Sequence, residues 1–327
     1  MSSAHSTVDV RPFADGDLDA AAALLADRHR RHRAAEPALA PAFEDTAVTR
    51  TAIEAALNAE AASGFVAVVD EQIAGYVIGM QKDRAVWGEN VWIESAGHAA
   101  TDPALVRELY AVAAAKWVDE GRTNHHVLVP ATDAGLVDAW FSLDFGQQHI
   151  HAVREVPPAS FGVIPRSEVV VRRATRDDID VLIPLERLLP EHLAGSPVFS
   201  RLTPSPAEEV RQELEADLAG STFTFWVADH EGQVVGTAIG CSLEVSPGHQ
   251  GPNRPSDAGY LAYAAVLPAA RGLGAGRILG DTVLAWARDE GFSSVATDWR
   301  STNLEADRAW RGMGFRPSFR RLHRLIG

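Results

Sequence analysis

Apolar and polar positions along the chain form short β-rich runs and longer helical stretches, and their order occurs twice. The segments "VDVRPFADGDLDAAAALL" (8–25) and "VVVRRATRDDIDVLIPL" (169–185) each read as a strand and then an Asp-rich turn able to cap a helix. The segments "GFVAVVDEQIAGYVIGM" (64–80) and "TFWVADHEGQVVGTAIG" (224–240) each read as a hairpin, two β-rich runs around a polar turn. From 119 to 145 the chain aligns without a gap on 289 to 315, an offset of 170 that places Trp140 on Trp310 and Phe145 on Phe315. Each copy predicts strand, one or two helices, antiparallel hairpin, strand, helix, strand, helix, strand. This is an α/β (α+β) chain of two domains, each a mixed, mainly antiparallel sheet flanked by helices. Between the copies, "REVPPASFGVIPRSE" (154–168) carries the pair Pro157–Pro158, which ends any strand. The expected division is a first domain at 1–157, a linker at 158–168 and a second domain at 169–327.

Composition narrows the classes. The 327 residues are 46% hydrophobic and 23% charged, as in a soluble globular protein. The net charge of −14 argues against nucleic-acid partners and anionic membranes. The charge is uneven: residues 1–157 hold 12 basic and 23 acidic side chains, a net of −11, and the remainder holds 18 and 21, a net of −3. The single cysteine, Cys241, suits a reducing compartment. The opening "MSSAHSTVDV" has neither the basic nor the apolar region of a signal peptide, and no run of about 18 apolar residues predicts a membrane span. A cytoplasmic protein is expected.

Candidate chemistry concentrates in "VLPAARGLGAGRILGDTVLAWARDEG" (266–291), where Arg271 and three alternate glycines, Gly272, Gly274 and Gly276, lie between a strand and a helix. Glycine lets a ligand approach the main chain, and a helix start offers free N–H groups and the positive dipole end, which together suit phosphate. The stretch is not a Walker A loop, because Arg277 and Ile278 follow Gly276. A dinucleotide fingerprint needs G-x-G-x-x-G; although Asp298 could imitate its ribose-binding acid, the spacing is wrong and a hairpin precedes the motif.

The pattern Arg-x-x-Gly-x-Gly after a strand, with Asn303 and "Gly314-Phe315" downstream, resembles the pyrophosphate loop of the GNAT N-acetyltransferase superfamily over most of 169–327. The resemblance implies acetyl-CoA as cosubstrate, with the pyrophosphate on the amides of Arg271, Gly272, Leu273, Gly274, Ala275 and Gly276. It implies strands 258–266 and 293–299 that splay to take the pantetheine, bringing in Leu261, with the N–H near Val266 polarising the thioester carbonyl. Asn303 contacts the cofactor, caps the next helix, or does both, and Trp310 stands beside the same site. The family's usual base, a Glu on the strand before the loop, is absent; the polar side chains there are Tyr260 and Tyr263, with Asp257 at the start. The usual acid, a Tyr seven residues after the Asn, is replaced by Trp310. Tyr260 and Tyr263 are therefore the catalytic candidates, with packing in the sheet as the alternative for both.

The substrate side is expected to hold Glu191 and His192, between the first two helices, and His249 and Asp257 in the irregular loop "SPGHQGPNRPSD" (246–257). His249 reads either as a base or as an exposed loop histidine. In the first copy, Thr101, Asp102, Pro103 and Ala104 replace Arg271 to Gly274. "TDPALVRELY" reads as a helix capped by Thr101 or Asp102 with a proline in its first turn, without a phosphate site. Two copies with one degenerate are similar to the mycothiol synthase arrangement.

"RHRRHR" (28–33) is expected to be a solvated basic helix face. His125, His126, His149 and His151 do not make a metal site on spacing alone, so no metal is expected. The reading is an N-acetyltransferase that moves acetyl from acetyl-CoA to an amine of a small molecule, or of a peptide, as a monomer or homodimer. The alternative, raised by Trp310 and the absent Glu, is a non-catalytic acyl-CoA-binding or regulatory module.

Overall fold

The computed structural model describes residues 8–159, 168–201 and 203–327, so most of the expected linker, 160–167, and the extreme N-terminus lie outside the described residues. The first copy forms β1 (Asp9–Pro12), α1 (Leu18–Ala35), α2 (Thr46–Leu57), β2 (Ser63–Val69), β3 (Gln72–Gly79), the single turn α3 (Arg84–Trp87), β4 (Asn90–Ile93), β5 (His98–Ala100), α4 (Leu105–Asp119), β6 (Asn124–Pro130), α5 (Ala134–Phe141) and β7 (Gly146–Glu155). The second forms β8 (Val169–Arg173), α6 (Ile179–Ala194), α7 (Ala207–Ala219), β9 (Phe223–His230), β10 (Gln233–Ser242), β11 (Ala258–Val266), α8 (Ala275–Asp289), β12 (Ser294–Arg300), α9 (Leu304–Gly312) and β13 (Arg316–Leu325). The second copy has the element order expected from the hydrophobic pattern, and the first has it with α3 and one additional strand between the hairpin and α4.

The chain divides into two compact units that do not follow chain order. Unit 1 holds residues 1–150, 250–254 and 317–327, and unit 2 holds 151–249 and 255–316. The last strand of each copy thus contributes to the other unit.

In unit 1, β1, β2, β3 and β5 form a four-stranded antiparallel sheet. The alternation of β2 and β3 sorts their side chains onto two faces. Val66, Tyr76 and Ile78 pack with Leu18, Leu25 and Ile53 of α1 and α2, whereas Phe65, Ala67 and Val77 pack with Val106, Leu109 and Ala113 of α4. A second set of strands joins β4 parallel to β6 and β6 antiparallel to β13.

Two local expectations for this unit change. Within "RHRRHR" only part of the helix faces water: Arg28, His29 and His32 are buried, while Arg30 and Arg31 pair with Asp27 and Arg33 pairs with Glu44. The helical period divides the run between two faces. The helix expected to take Thr101 or Asp102 as its N-cap begins at Leu105, with Ala104 at the N-cap position. Asp102 Oδ1 accepts from Ala104 N at 2.9 Å, and the following N–H groups of Leu105, Val106 and Arg107 bond three residues back, so a tightened turn precedes the helix.

In unit 2, β8, β9, β10 and β11 are antiparallel neighbours and β12 joins β11 in parallel. Phe225, Val227 and Ile239 pack with Ile179 and Leu182 of α6 and with Val210 and Leu214 of α7. The opposite face receives α8, whose Trp286 meets Trp226 edge to face at 5.6 Å. Helical spacing gives α8 an apolar stripe: Ile278, Leu279 and Val283 are buried, and Gly291, at φ +89°, follows the helix as its C′ residue. The part of β7 that belongs to this unit carries Arg154, which donates to Met313 O, and Glu155, which pairs with Arg316 at 2.7 Å.

Candidate functional site

Unit 2 contains a parted pair of strands that ends at an open helix start. The ladder between β11 and β12 runs only over Ala258–Tyr260 against Ser294–Ala296. At the parting, Thr297 Oγ1 donates to Leu261 O at 3.0 Å, and beyond it the two edges face each other without a ladder. Leu267 N donates to Val235 O at 2.8 Å. Because successive strand N–H groups point to opposite sides, that of Val266 points away from β10, into the gap.

After β11 the short 3₁₀ turn Pro268–Ala270 leads to Arg271 and the glycines. Gly272 has φ +86° and Gly274 has φ +82°, left-handed conformations that favour glycine. Gly274 is the N-cap of α8 and offers no side-chain cap, and no acidic residue stands in the first turn. Four N–H groups at such a start have no acceptor within the helix, and here no carboxylate competes for them. A methyl added at Gly272 would meet no atom within 4 Å, and one at Gly276 would approach only Val266 Cγ2, at 3.6 Å. This open, donor-rich loop fits a phosphate group. Arg271 reaches sideways to Glu305 at 2.9 Å.

The neighbouring helix start is closed. Asn303 is the N-cap of α9, and its Oδ1 accepts from Ala306 N at 3.2 Å, with Glu305 and Asp307 in the first turn. Of the two readings of Asn303, the cap is the one visible in the structure. Trp310 is buried, 3.6 Å from the position a methyl on Gly280 would take, and edge-on to Phe315 at 6.0 Å.

The two tyrosines of β11 have different surroundings. The Tyr263 hydroxyl is committed to the backbone of α6: it donates to the carbonyls of Leu185 and Glu186 and accepts from Leu189 N at 3.3 Å. The Tyr260 hydroxyl donates to Asp298 Oδ1, on the opposite edge of the gap. Burial and the adjacent Asp298 carboxylate push the Tyr260 phenol far above its ordinary range, so it remains a neutral donor. Asp298 is partly exposed.

Of the substrate-side candidates, His249 is buried, not an exposed loop histidine. Its Nδ1 lies 3.0 Å from Ser246 Oγ and its Nε2 lies 3.2 Å from His151 Nδ1. Glu191 and His192 lie on the last turn of α6, which extends through the segment read as a connection; Glu191 faces Arg187 at 3.5 Å. Asp257 has φ +42° and its carbonyl accepts from Ser293 N, so its backbone fixes the start of β11.

Three features escaped the sequence. The sequence offers Asp298 only as a ribose contact; its place on the second strand of the gap is the signal of more. Glu186 was not singled out, although it is a lone carboxyl in the apolar run "IPLERLLP" (183–190). Its Oε1 is buried without a hydrogen-bond partner among the described residues, and burial, reinforced by Asp217 and Glu213, raises its pKa to about 7. His151 and Ser246 join His249 only through the fold. The one group of three potential metal ligands among the described residues is Glu168, His230 and Glu231, away from this gap and largely exposed.

The first copy differs at the corresponding place. There β4 and β6 pair in parallel over Asn90–Ile93 and Asn124–Val127, and the next carbonyl, of Leu128, accepts from His98 Nε2 at 3.0 Å. Leu128 is the counterpart of Asp298 at the offset of 170. Where the second copy keeps an open edge, the first has a buried histidine.

Comparison with known proteins gives a consistent picture. Residues 191–315 match the acetyltransferase (GNAT) family model. The chain is 38% identical over 112 residues to an aminoglycoside N(6′)-acetyltransferase type 1 of Stenotrophomonas maltophilia, a match covering 34% of this chain and 68% of that protein. It is 29% identical over 141 residues to N-acetyltransferase 8B of Rattus norvegicus, covering 41% and 60% respectively. A GCN5-related N-acetyltransferase from Sphaerobacter thermophilus shares the fold, with a TM-score of 0.56 at 14% identity over 97% of this chain and 95% of that one. So does a tandem GNAT protein from the clavulanic acid biosynthesis pathway, with a TM-score of 0.50 at 15% identity over 98% and 99%. No helix among the described residues is long and apolar enough to cross a membrane. With a relative 38% identical and matched over two thirds of its length, the chain belongs to the acetyltransferase (GNAT) family and is an acetyltransferase.

Proposed function

We propose that residues 169–327 bind acetyl-CoA at the Arg271–Gly276 loop and transfer its acetyl group directly to the amine of a small molecule. The observation that carries this reading is the combination of a ladder that stops after Tyr260 with an uncapped, glycine-lined helix start at its mouth. The loop amides meet the pyrophosphate and the open edges of β11 and β12 receive the pantetheine. The Val266 N–H, directed into the gap, polarises the thioester carbonyl.

Asp298 is the proton acceptor in this reading and Tyr260 holds its carboxylate. An ammonium acceptor loses one proton to Asp298, and its nitrogen then bonds to the acetyl carbon. The carbon–sulfur bond breaks, and the thiolate takes the proton that the new amide nitrogen sheds. Tyr263, whose hydroxyl is used by α6, positions that helix. Acceptor specificity falls to Glu191, His192 and the segment before β11. A small-molecule amine agrees with the aminoglycoside acetyltransferase among the relatives. A cytoplasmic setting agrees with the one cysteine, Cys241, being a buried free thiol.

The test is release of free CoA thiol from acetyl-CoA across a panel of aminoglycosides, polyamines, aryl amines and peptides, with product mass. Release with a small-molecule amine and a product heavier by one acetyl group is expected. Binding of acetyl-CoA without turnover on any amine, or turnover on peptides alone, would overturn the proposal.

A further inference from the structure

A line of buried side chains leads from the end of the first copy to the Asp298 carboxylate, all within unit 2. His151 Nδ1 lies 3.2 Å from His249 Nε2, and His249 Nδ1 lies 3.0 Å from Ser246 Oγ. Ser246 hydrogen-bonds the Tyr260 side chain, and Tyr260 donates to Asp298. His151 and His249 are 4% and 2% exposed and Ser246 is 5% exposed, so water does not substitute for these partners.

The chemistry of the donors orients the line. An ionised carboxylate only accepts, so the Tyr260 proton points to Asp298. The Tyr260 oxygen is then the acceptor for the Ser246 hydroxyl. With its proton so used, Ser246 accepts from His249 Nδ1–H. A neutral His249 protonated at Nδ1 has its lone pair at Nε2, which accepts from His151 Nδ1–H. Every proton points the same way, and such chains polarise each link toward the charge at the end.

We infer that His151, His249 and Ser246 are positioning residues that act through Tyr260 to fix the Asp298 carboxylate at the open edge of β12. The inference rests on the reading of Asp298 as proton acceptor. It assigns the degenerate first copy a share in the active unit, because His151 lies in the sequence of that copy.

The test uses the full chain, with two readouts. In the first, ¹⁵N-histidine spectra of the wild type are assigned by His151→Phe and His249→Phe. Both histidines are expected as Nδ1–H tautomers; an Nε2–H tautomer at either would overturn the inference. In the second, turnover is followed with the fastest amine of the panel. His249→Phe and Ser246→Ala are expected to lower kcat about fivefold, the scale of one hydrogen bond between neutral groups, with KM for acetyl-CoA unchanged. His249→Asn, whose amide replaces the Nδ1 donor, is expected to recover most of the loss. In an Asp298→Asn background His249→Phe should cost nothing more. Unchanged kcat in Ser246→Ala and His249→Phe, a full further loss in the Asp298→Asn background, or no recovery by a folded His249→Asn would overturn the inference. Wild-type turnover by Asp298→Asn would instead overturn the reading beneath it.

Discussion

Tyr260 and Asp298 sit on opposite edges of the gap between β11 and β12, and the tyrosine hydroxyl donates to the aspartate carboxylate just past the last ladder pair. Tyr263, three residues on, spends its hydroxyl on the backbone of α6. The two should respond oppositely to loss of the hydroxyl. Tyr260→Phe is expected to lower kcat about tenfold or more with little change in Tm. Tyr263→Phe should keep kcat within about twofold and cost about 1 kcal/mol in urea unfolding, the net value of one hydrogen bond. Steady-state kinetics beside denaturant titrations separate the two.

Gly274→Asp should remove acetyl-CoA binding while the fold persists. Aspartate tolerates the left-handed conformation better than most residues, but it brings a carboxylate to the helix start proposed for the pyrophosphate. Calorimetric titration is expected to show one acetyl-CoA per wild-type chain and none in the variant. Two sites per chain, or unchanged affinity in the variant, would refute the assignment of the loop and of the closed edge at Leu128.

Acid should unfold unit 1 early. Burial holds the pKa of His32 and His98 down to about 3 and that of His125 to about 4. Each is neutral in the folded chain and takes a proton on unfolding, so its stabilising contribution is complete above about pH 6.5 and is lost as pH falls toward 3–4. Each should cost about 1.4 kcal/mol per pH unit below 6, or roughly 4 kcal/mol per unit together. Far-ultraviolet circular dichroism between pH 7 and 4 should show a steep transition, displaced to lower pH by His98→Gln.

Glu186 has the opposite dependence. Its folded pKa, about 7, lies above the ordinary carboxyl value, so stability falls as pH rises from about 4.5 to 7. Glu186→Gln should stabilise the protein at pH 8 by up to about 3 kcal/mol and much less at pH 5, read as the difference in Tm between variant and wild type at each pH.

Much of this fold was legible because periodicity reports burial, and burial decides which face of an element is apolar. The hairpins of both copies, the stripe of α8 and the cap at Asn303 follow from local rules. The left-handed turns at Gly272 and Gly274 were legible for a related reason, since such backbone leaves its mark as missing side chains. The line from His151 to Asp298 was not, because its members are separated by 98, 3, 14 and 38 residues and no local rule relates them. Arg28 and His32 were misread because a basic run was treated as one surface, whereas a helix turns its residues through both.

The exchange of chain between the two units bears on how such a gene can shorten. A repeat without the glycines of its sibling would ordinarily be free to disappear. Here deletion of residues 1–157 would also take residues 151–157 from unit 2, and would leave 317–327 without the β6 strand that it pairs with. Absence of the glycine loop from a copy and absence of the copy are therefore separate conditions. The first leaves both units whole, and the second removes a strand from unit 2 and the pairing partner of β13.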